Sequence, residues 1–157
     1  GRLFTQGDNV FGEIADGTRT AKYSTFHLAS TTAADVFPAD RCFVIKLQSG
    51  GWQYAGLLAG LVGSTAAGGA DVCMTTWTSF PSSITSIITL ANLKEVKGGY
   101  NNTLWLMNSG VLYGSGQNTV GSLGASNTNQ IPSPRQITSV ALAFDAGYNQ
   151  CSYLNNV

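Results

Sequence analysis

A repeated strand–turn–strand unit constrains this chain more than any other feature of its sequence. The clearest copy covers residues 99–124 and contains two strand-like segments, a turn at residues 108–110 and a loop rich in Gly and Asn. Leu104 and Leu106 alternate with Trp105, which is the period of two expected of a β-strand. Glycine suits the turn because it adopts positive φ without steric cost. The unit therefore predicts a β-hairpin followed by an ordered loop.

Other parts of the chain repeat this unit. A second copy starts at Gly147 and is cut short by the chain end, and residues 3–12 match what would come next, residues 112–121. A degenerate third copy covers residues 42–56. Before each copy lies a further segment predicted to be extended: residues 37–38, 84–96 and 131–144. A unit of about 50 residues with three or four strands has the size of one β-propeller blade.

The sequence thus predicts an all-β chain of about three propeller blades. We expect an incomplete ring that closes or extends through other blades or chains. We expect a single domain over residues 1–157, with units of about 1–50, 51–110 and 111–157, and with the last blade split across the two termini.

The split blade predicts an assembly seam. If the first residue followed the last one directly, the repeat would need no gap. Either identical chains complete one another's blade, or the sequence is a segment of a longer chain. The residues expected at the seam are Gly1, Leu3, Phe4, Cys151, Tyr153 and Val157.

Recurring positions inside the repeat point to a known family. These positions are Tyr113, Gly116, Asn118, Gly121, Leu123 and Gly124 in one copy, and Phe4, Gly7, Asn9, Gly12 and Ile14 in another. Their pattern resembles the repeat of the regulator of chromosome condensation family, which implies a β-propeller and usually a seven-bladed ring. Asn102 and Gln150 stand where the family usually has His. The best-known member exchanges guanine nucleotides through residues that have no identified match here, so the resemblance carries over no activity.

Composition excludes some function classes. Eight basic and eight acidic residues leave a net charge of zero, which argues against nucleic-acid binding because phosphate contacts require an excess of Lys and Arg. The weakly polar run at residues 54–70 is rich in Gly and too short to span a membrane. We expect the three cysteines to be small buried residues.

The chain offers little for catalysis. His27 is the only histidine, and a lone histidine is more often structural than catalytic. No nucleophile motif or phosphate-binding loop is present in the sequence. Asp8, Glu13 and Asp16 form an acidic cluster, but their spacing fits ordinary solvated loop side chains better than a calcium site. We therefore predict no enzymatic activity, no catalytic residues, no metal and no cofactor.

Two equivalent Tyr-Asn pairs are the candidate binding residues. Tyr100 with Asn101, and Tyr148 with Asn149, follow the first glycine of their repeat copies. If exposed, such pairs stack on a sugar and bond its hydroxyls. The alternative is core packing, since buried aromatic residues dominate β-sheet cores.

Low charge, richness in Gly, Ser, Thr and Asn, and the repeat favour a non-catalytic recognition module of a virus particle. We predict a phage tail-fibre or receptor-binding component on the virion surface or outside the cell. Its expected partners are copies of itself or further blades, and a host-surface glycan or protein. The alternative is a secreted bacterial propeller that binds or inhibits a partner protein.

Overall fold

The computed structural model describes residues 1–62 and 72–155 of the chain. Strands dominate these residues. They are β1 (Leu3–Gly7), β2 (Lys22–Ser30), β3 (Ala33–Ala39), β4 (Cys42–Leu47), β5 (Trp52–Leu57), β6 (Cys73–Thr78), β7 (Leu93–Gly98), β8 (Asn102–Met107), β9 (Leu112–Gly116), β10 (Ile131–Thr138), β11 (Ala141–Ala146) and β12 (Cys151–Asn155). Two short helices, α1 (Ala59–Val62) and α2 (Ser82–Thr85), and a 3-10 turn at Leu90–Asn92 complete the described elements. No helix among them is long and apolar enough to cross a membrane.

The strands form antiparallel sheets in chain order. Two sheets have four strands, in the orders β3-β4-β5-β6 and β7-β8-β9-β10. Two more have two strands each, β1-β2 and β11-β12. This arrangement confirms the predicted all-β chain with an incomplete ring of blades. The unit limits expected near residues 50 and 110 fall in the turns between β4 and β5 and between β8 and β9. Each four-stranded sheet therefore contains strands from two of the expected units. The limits of the units stay a prediction. Of the predicted seam residues, Val157 lies outside the described residues, and the seam itself stays a prediction.

The degenerate third copy has the same register as the clearest one. Cys42 pairs with Gly56 in the hairpin of β4 and β5, as Asn102 pairs with Gly116 in the hairpin of β8 and β9. Gly56 and Gly116 also share a positive φ, +103° and +106°. The two hairpins are therefore structural repeats.

The hydrophobic core lies between neighbouring sheets. One cluster joins the two four-stranded sheets and contains Trp52, Tyr54 and Trp105. A second cluster joins the sheet of β7–β10 to that of β11 and β12, and contains Leu104 and Leu106. Because alternate residues of β8 face the two clusters, every residue of that strand is buried. Stacked blades explain why a single strand is apolar on both faces.

One strand prediction is wrong. Residues 84–96 were expected to be extended, but the strand begins only at Leu93, after α2 and the 3-10 turn. Ile84 and Ile88 are both fully buried, and the Ile88 N–H donates a 2.8 Å hydrogen bond to the Ile84 carbonyl. The spacing of four residues places both side chains on one side of a helical turn, so this apolar run has a helical rather than a strand period.

Candidate functional site

Three turns from successive sheets converge at one end of the molecule. The strands β3, β7 and β11 come first in their sheets, and they line a cleft of about 600 Å³. Where these strands end, a hollow of about 430 Å³ is lined by residues 38–40, 98–100 and 146–148. The strands thus bring together turns that lie far apart in the sequence.

Two tyrosines form the centre of this hollow. The rings of Tyr100 and Tyr148 stack with 4.3 Å between centroids and 17° between planes. Tyr148 is 64% exposed, so it does not pack in the core. Partial desolvation of its hydroxyl, and then the neighbouring Tyr100, raise the pKa of Tyr148. The pair presents an aromatic surface to solvent.

Arg41 lies beside the tyrosine pair. Its guanidinium carbon is 5.2 Å from the ring centroid of Phe11 and 5.6 Å from that of Tyr100. Its Nε lies 3.7 Å from Oδ2 of Asp40, which also accepts a 3.2 Å hydrogen bond from the Asn101 N–H. Within residues 1–62 and 72–155 the guanidinium donates no hydrogen bond. Among the described residues, its terminal nitrogens therefore have no hydrogen-bond acceptor.

The four predicted binding residues have different surroundings. Tyr100 and Tyr148 meet, as described. Asn101 makes hydrogen bonds within the protein: its side-chain amide donates to Gln117 at 3.4 Å, and its backbone N–H donates to Asp40. Asn149 is exposed in the turn between β11 and β12. Their predicted role in binding stays a prediction.

Sequence reasoning missed Arg41 and Phe11. Arg41 occupies the place of Asn101 in the repeat, and the two residues have almost the same φ, +57° and +54°. Aligning the degenerate copy residue by residue would therefore have placed Arg41 next to the predicted tyrosines. Phe11 comes from the loop between β1 and β2 and has no such signal.

Buried asparagines organise the loops that follow the hairpins. Asn118 is fully buried; its Oδ1 accepts a 2.9 Å hydrogen bond from the Leu123 N–H, and its Nδ2 donates to the Asn127 carbonyl at 2.8 Å. Asn9 makes the equivalent bond, accepting from the Ile14 N–H at 2.9 Å. The Asn of the repeat is thus a structural anchor.

The acidic cluster belongs to the same loop architecture. Glu13 is buried and accepts a hydrogen bond from the Phe11 N–H, and burial raises its pKa. Burial also acts to raise the pKa of Asp16, but hydrogen bonds from Thr18 and the Lys22 ammonium outweigh it and lower that pKa to about 2. The interpretation as ordinary solvated side chains is therefore wrong for Glu13 and Asp16. In the described part of the chain, no three His, Cys, Asp or Glu residues are grouped to hold a metal.

We expect Asn118→Ala to lower the free energy of unfolding by about 2 kcal/mol, because it leaves the buried Leu123 N–H and the Asn127 carbonyl without their partner. Urea denaturation followed by circular dichroism measures this loss. Asn129→Ala, in the same loop but with an exposed side chain, is the control and should change stability by less than about 0.5 kcal/mol. Equal effects of both changes would contradict the anchoring role.

Solved structures share this arrangement of sheets. Human WBSCR16 matches with a TM-score of 0.74 at 15% identity, over 100% of this chain and 40% of WBSCR16. Prp20p of Saccharomyces cerevisiae matches with a TM-score of 0.66 at 15% identity, over 99% of this chain and 40% of Prp20p. A second structure of the yeast protein, RCC1 (Prp20) bound to Kap60, matches with a TM-score of 0.66 at 13% identity, over 99% of this chain and 38% of that one.

The chain has the fold of an RCC1-type β-propeller. It spans about 40% of the length of the RCC1-like structures it matches, which agrees with its incomplete ring. No protein-family model and no curated protein matches the sequence. The resemblance of the repeat to the regulator of chromosome condensation family is thus confirmed at the level of the fold.

The RCC1-like matches correct the predicted function. The expectation of a phage tail-fibre or receptor-binding component of a virus particle is wrong, because the matching structures are human and yeast RCC1-like proteins. The alternative, a secreted bacterial propeller, is wrong for the same reason. The physical reason lies in the composition. Glycines at positive φ and buried asparagines are required by the turns and loops of the repeat, so their abundance does not indicate a virion protein.

Proposed function

We propose that the chain is a non-catalytic, protein-binding part of an RCC1-like propeller, and that it holds an acidic segment of a partner protein at Arg41. Further blades of the same protein, or other copies of the chain, would supply the rest of the ring. The matched yeast structures support a protein partner, because Prp20p binds Gsp1p and histones and the second structure holds the yeast protein bound to Kap60.

The observation that carries the proposal is the environment of Arg41. Its side chain is 37% exposed and lies against two aromatic rings, and it donates no hydrogen bond to the described residues. The Asp40 contact is made through Nε, and the terminal nitrogens bond to none of the described residues, an arrangement that suits a bidentate carboxylate. An arginine held in this way loses little side-chain entropy when it binds.

The stacked tyrosines extend this surface. Arginine and tyrosine are among the residues that contribute most energy at protein interfaces, because they combine large apolar area with polar groups. The Tyr100–Tyr148 pair places such area next to the guanidinium. We therefore infer a partner segment with a carboxylate at Arg41 and an apolar or planar side chain on Tyr148.

A protein carboxylate fits better than a nucleic-acid phosphate. The chain has no net charge, and Asp40 lies next to the arginine of the cluster. Repeated phosphates favour a broad basic surface, whereas one carboxylate needs only one well-placed arginine. The proposed function includes no catalytic activity. The location outside the cell stays a prediction.

Fluorescence titration with a short Glu-rich peptide containing one Phe tests the proposal at low ionic strength. Arg41→Gln should weaken binding about tenfold or more, which corresponds to about 1.4 kcal/mol. Tyr148→Ala should weaken it by a smaller factor, because only part of the aromatic surface is lost. The matched peptide with Gln in place of Glu should bind wild-type protein as weakly as the Glu peptide binds the Arg41→Gln variant.

Arg135→Gln is the matched control, since Arg135 is an exposed arginine on β10 outside the cluster. It should leave the affinity unchanged. Unchanged affinity in Arg41→Gln, or an equal loss in both variants, would contradict a specific role of Arg41.

A further inference from the structure

The loop between β1 and β2 supplies one of the two aromatic rings beside Arg41. Phe11 lies in this loop, and its ring centroid is 5.2 Å from the guanidinium carbon of Arg41. Arg41 belongs to the turn between β3 and β4, so the contact joins two neighbouring sheets. The attraction between a cation and a ring depends on their distance and on the position of the cation over the ring face. Whatever fixes Phe11 therefore also influences where the guanidinium lies.

The loop is anchored on both sides of Phe11. Asn9, before it, is fully buried and hydrogen-bonded within the loop. Gly12, after it, packs against β6, since a Cβ at Gly12 would lie 2.8 Å from the Cα of Thr75. Phe11 itself is held through its backbone N–H, which donates a 2.9 Å hydrogen bond to Oε2 of Glu13. The side chain of Glu13 thus connects the ring-bearing residue to the anchored part of the loop.

The charge of Glu13 strengthens this hydrogen bond. Glu13 is only 8% exposed, and a backbone N–H bonds more strongly to a carboxylate than to a neutral acceptor. The bond from the Phe11 N–H favours the ionised form of Glu13, and the ionised form in turn strengthens the bond. A proton on the carboxylate would weaken the bond and would add a buried O–H that needs an acceptor of its own.

The groups that face Glu13 come from its own loop and from the neighbouring sheet. Within the loop, the charge of Asp8 favours the protonated form and that of Arg19 the ionised form. In the neighbouring sheet, the charges of Asp40 and Glu13 both act on the Cys42 thiol, so the three groups lie close together. β6, on which the loop packs, contains no Asp, Glu, Lys, Arg or His. Desolvation has the largest effect and raises the pKa of Glu13 from its ordinary 4.5.

We propose that Glu13 is the positioning residue of the Arg41 site, where its carboxylate holds Phe11 against the guanidinium and releases it on protonation. The consequence for partner binding rests on the proposed function of Arg41. The contact between Phe11 and Arg41 does not, since it exists in the free protein.

The fold should persist while the site loosens. Because burial raises the pKa of Glu13 in the folded protein, the folded state binds this proton more tightly than the unfolded state does. Lowering the pH through this pKa therefore does not destabilise the fold through Glu13. Asp16 of the same loop, with a pKa of about 2, stays ionised over the same range. A change at Arg41 is thus separable from unfolding.

Nuclear magnetic resonance of the free protein, titrated from about pH 8 to about pH 4.5, tests the positioning role. We expect the wild type to lose the nuclear Overhauser contact between the Phe11 ring and the Arg41 side chain as the pH falls, with a midpoint above 4.5. Glu13→Gln, a neutral isostere of the protonated form, should lack the contact at every pH. Glu95→Gln changes the only other glutamate, on β7, and should titrate as the wild type does.

Fluorescence titration with the Glu-rich peptide at neutral pH adds the effect on binding. Glu13→Gln should weaken the affinity about two- to fivefold, the effect expected when a cation–π contact is lost at an exposed site, and Glu95→Gln should leave it unchanged. Circular dichroism of all variants shows that they fold, and the wild-type pH titration tests the proposal without any variant.

A contact that persists in the wild type over the whole pH range would overturn the proposal, as would a pH-dependent contact in Glu13→Gln. Equal binding of the peptide by wild type and Glu13→Gln would also overturn it. If the contact titrates in the wild type and is absent from Glu13→Gln, but the wild type binds no peptide, the positioning role of Glu13 is supported and only the proposed function is contradicted.

Discussion

Gly116→Ala should be strongly destabilising, with a loss of about 3 kcal/mol or more in the free energy of unfolding. Two effects add. An L-residue at a φ of +106° costs about 1–2 kcal/mol. The new Cβ would also overlap the backbone of Asn101 and Asn102, and relieving such overpacking costs about 1–3 kcal/mol. The backbone of β8 cannot retreat cheaply, because it is hydrogen-bonded to strands on both sides.

Gly50→Ala separates the two effects. Gly50 also has a positive φ, +86°, but a Cβ there meets nothing within 4 Å. Its substitution should therefore cost only the backbone strain of about 1–2 kcal/mol. Urea denaturation of both variants gives the comparison. Equal losses would show that the close approach of the two strands does not contribute to the requirement for glycine.

Trp105→Ala should cost about 3–5 kcal/mol, since it removes a fully buried indole from between the two complete sheets. The ring lies edge-on to Phe80 at a centroid distance of 5.6 Å. Its N–H donates a 2.9 Å hydrogen bond to Ser115, which in turn donates to the Leu61 carbonyl at 2.6 Å. The substitution thus opens a cavity and disrupts a buried polar chain.

Trp105→Phe distinguishes packing from hydrogen bonding. It retains most of the aromatic volume and loses the N–H, so we expect a loss of about 1–2 kcal/mol. Tyr23→Ala, at a 74% exposed aromatic residue, should change stability by less than about 0.5 kcal/mol. Chemical denaturation measures all three. A loss below about 1 kcal/mol in Trp105→Ala would contradict the assignment of Trp105 to the core between the sheets.

Local signals made the repeat predictable. The turn glycines and the loop asparagine act within a few residues of themselves, so their spacing shows in the sequence wherever the unit recurs. The match between Gly50 and Gly110 located even the degenerate copy, and both have a φ of +86°. The resemblance of these positions to the regulator of chromosome condensation repeat then gave the fold.

Signals that depend on neighbouring sheets were missed or misread. Ile84 and Ile88 have a helical spacing, but their apolar run resembled a strand. The cluster around Arg41 forms only where turns from three sheets meet, and the sequence separates Arg41 from Tyr148 by about two repeats of the unit. Function was the least predictable part, because the glycines and asparagines that build the repeat also give the chain the composition expected of a virion protein.

We propose that Arg41, Tyr100 and Tyr148 form one binding surface, and nuclear magnetic resonance tests this proposal most directly. The experiment follows the Arg41 Nε–H signal and the tyrosine ring protons during titration with the Glu-rich peptide. We predict nuclear Overhauser contacts between the two tyrosine rings in the free protein, and shifts of the Arg41 and Tyr148 signals on binding, with the Arg135 signal unchanged. Equal shifts of Arg41 and Arg135, or no contact between the tyrosine rings, would contradict the claim.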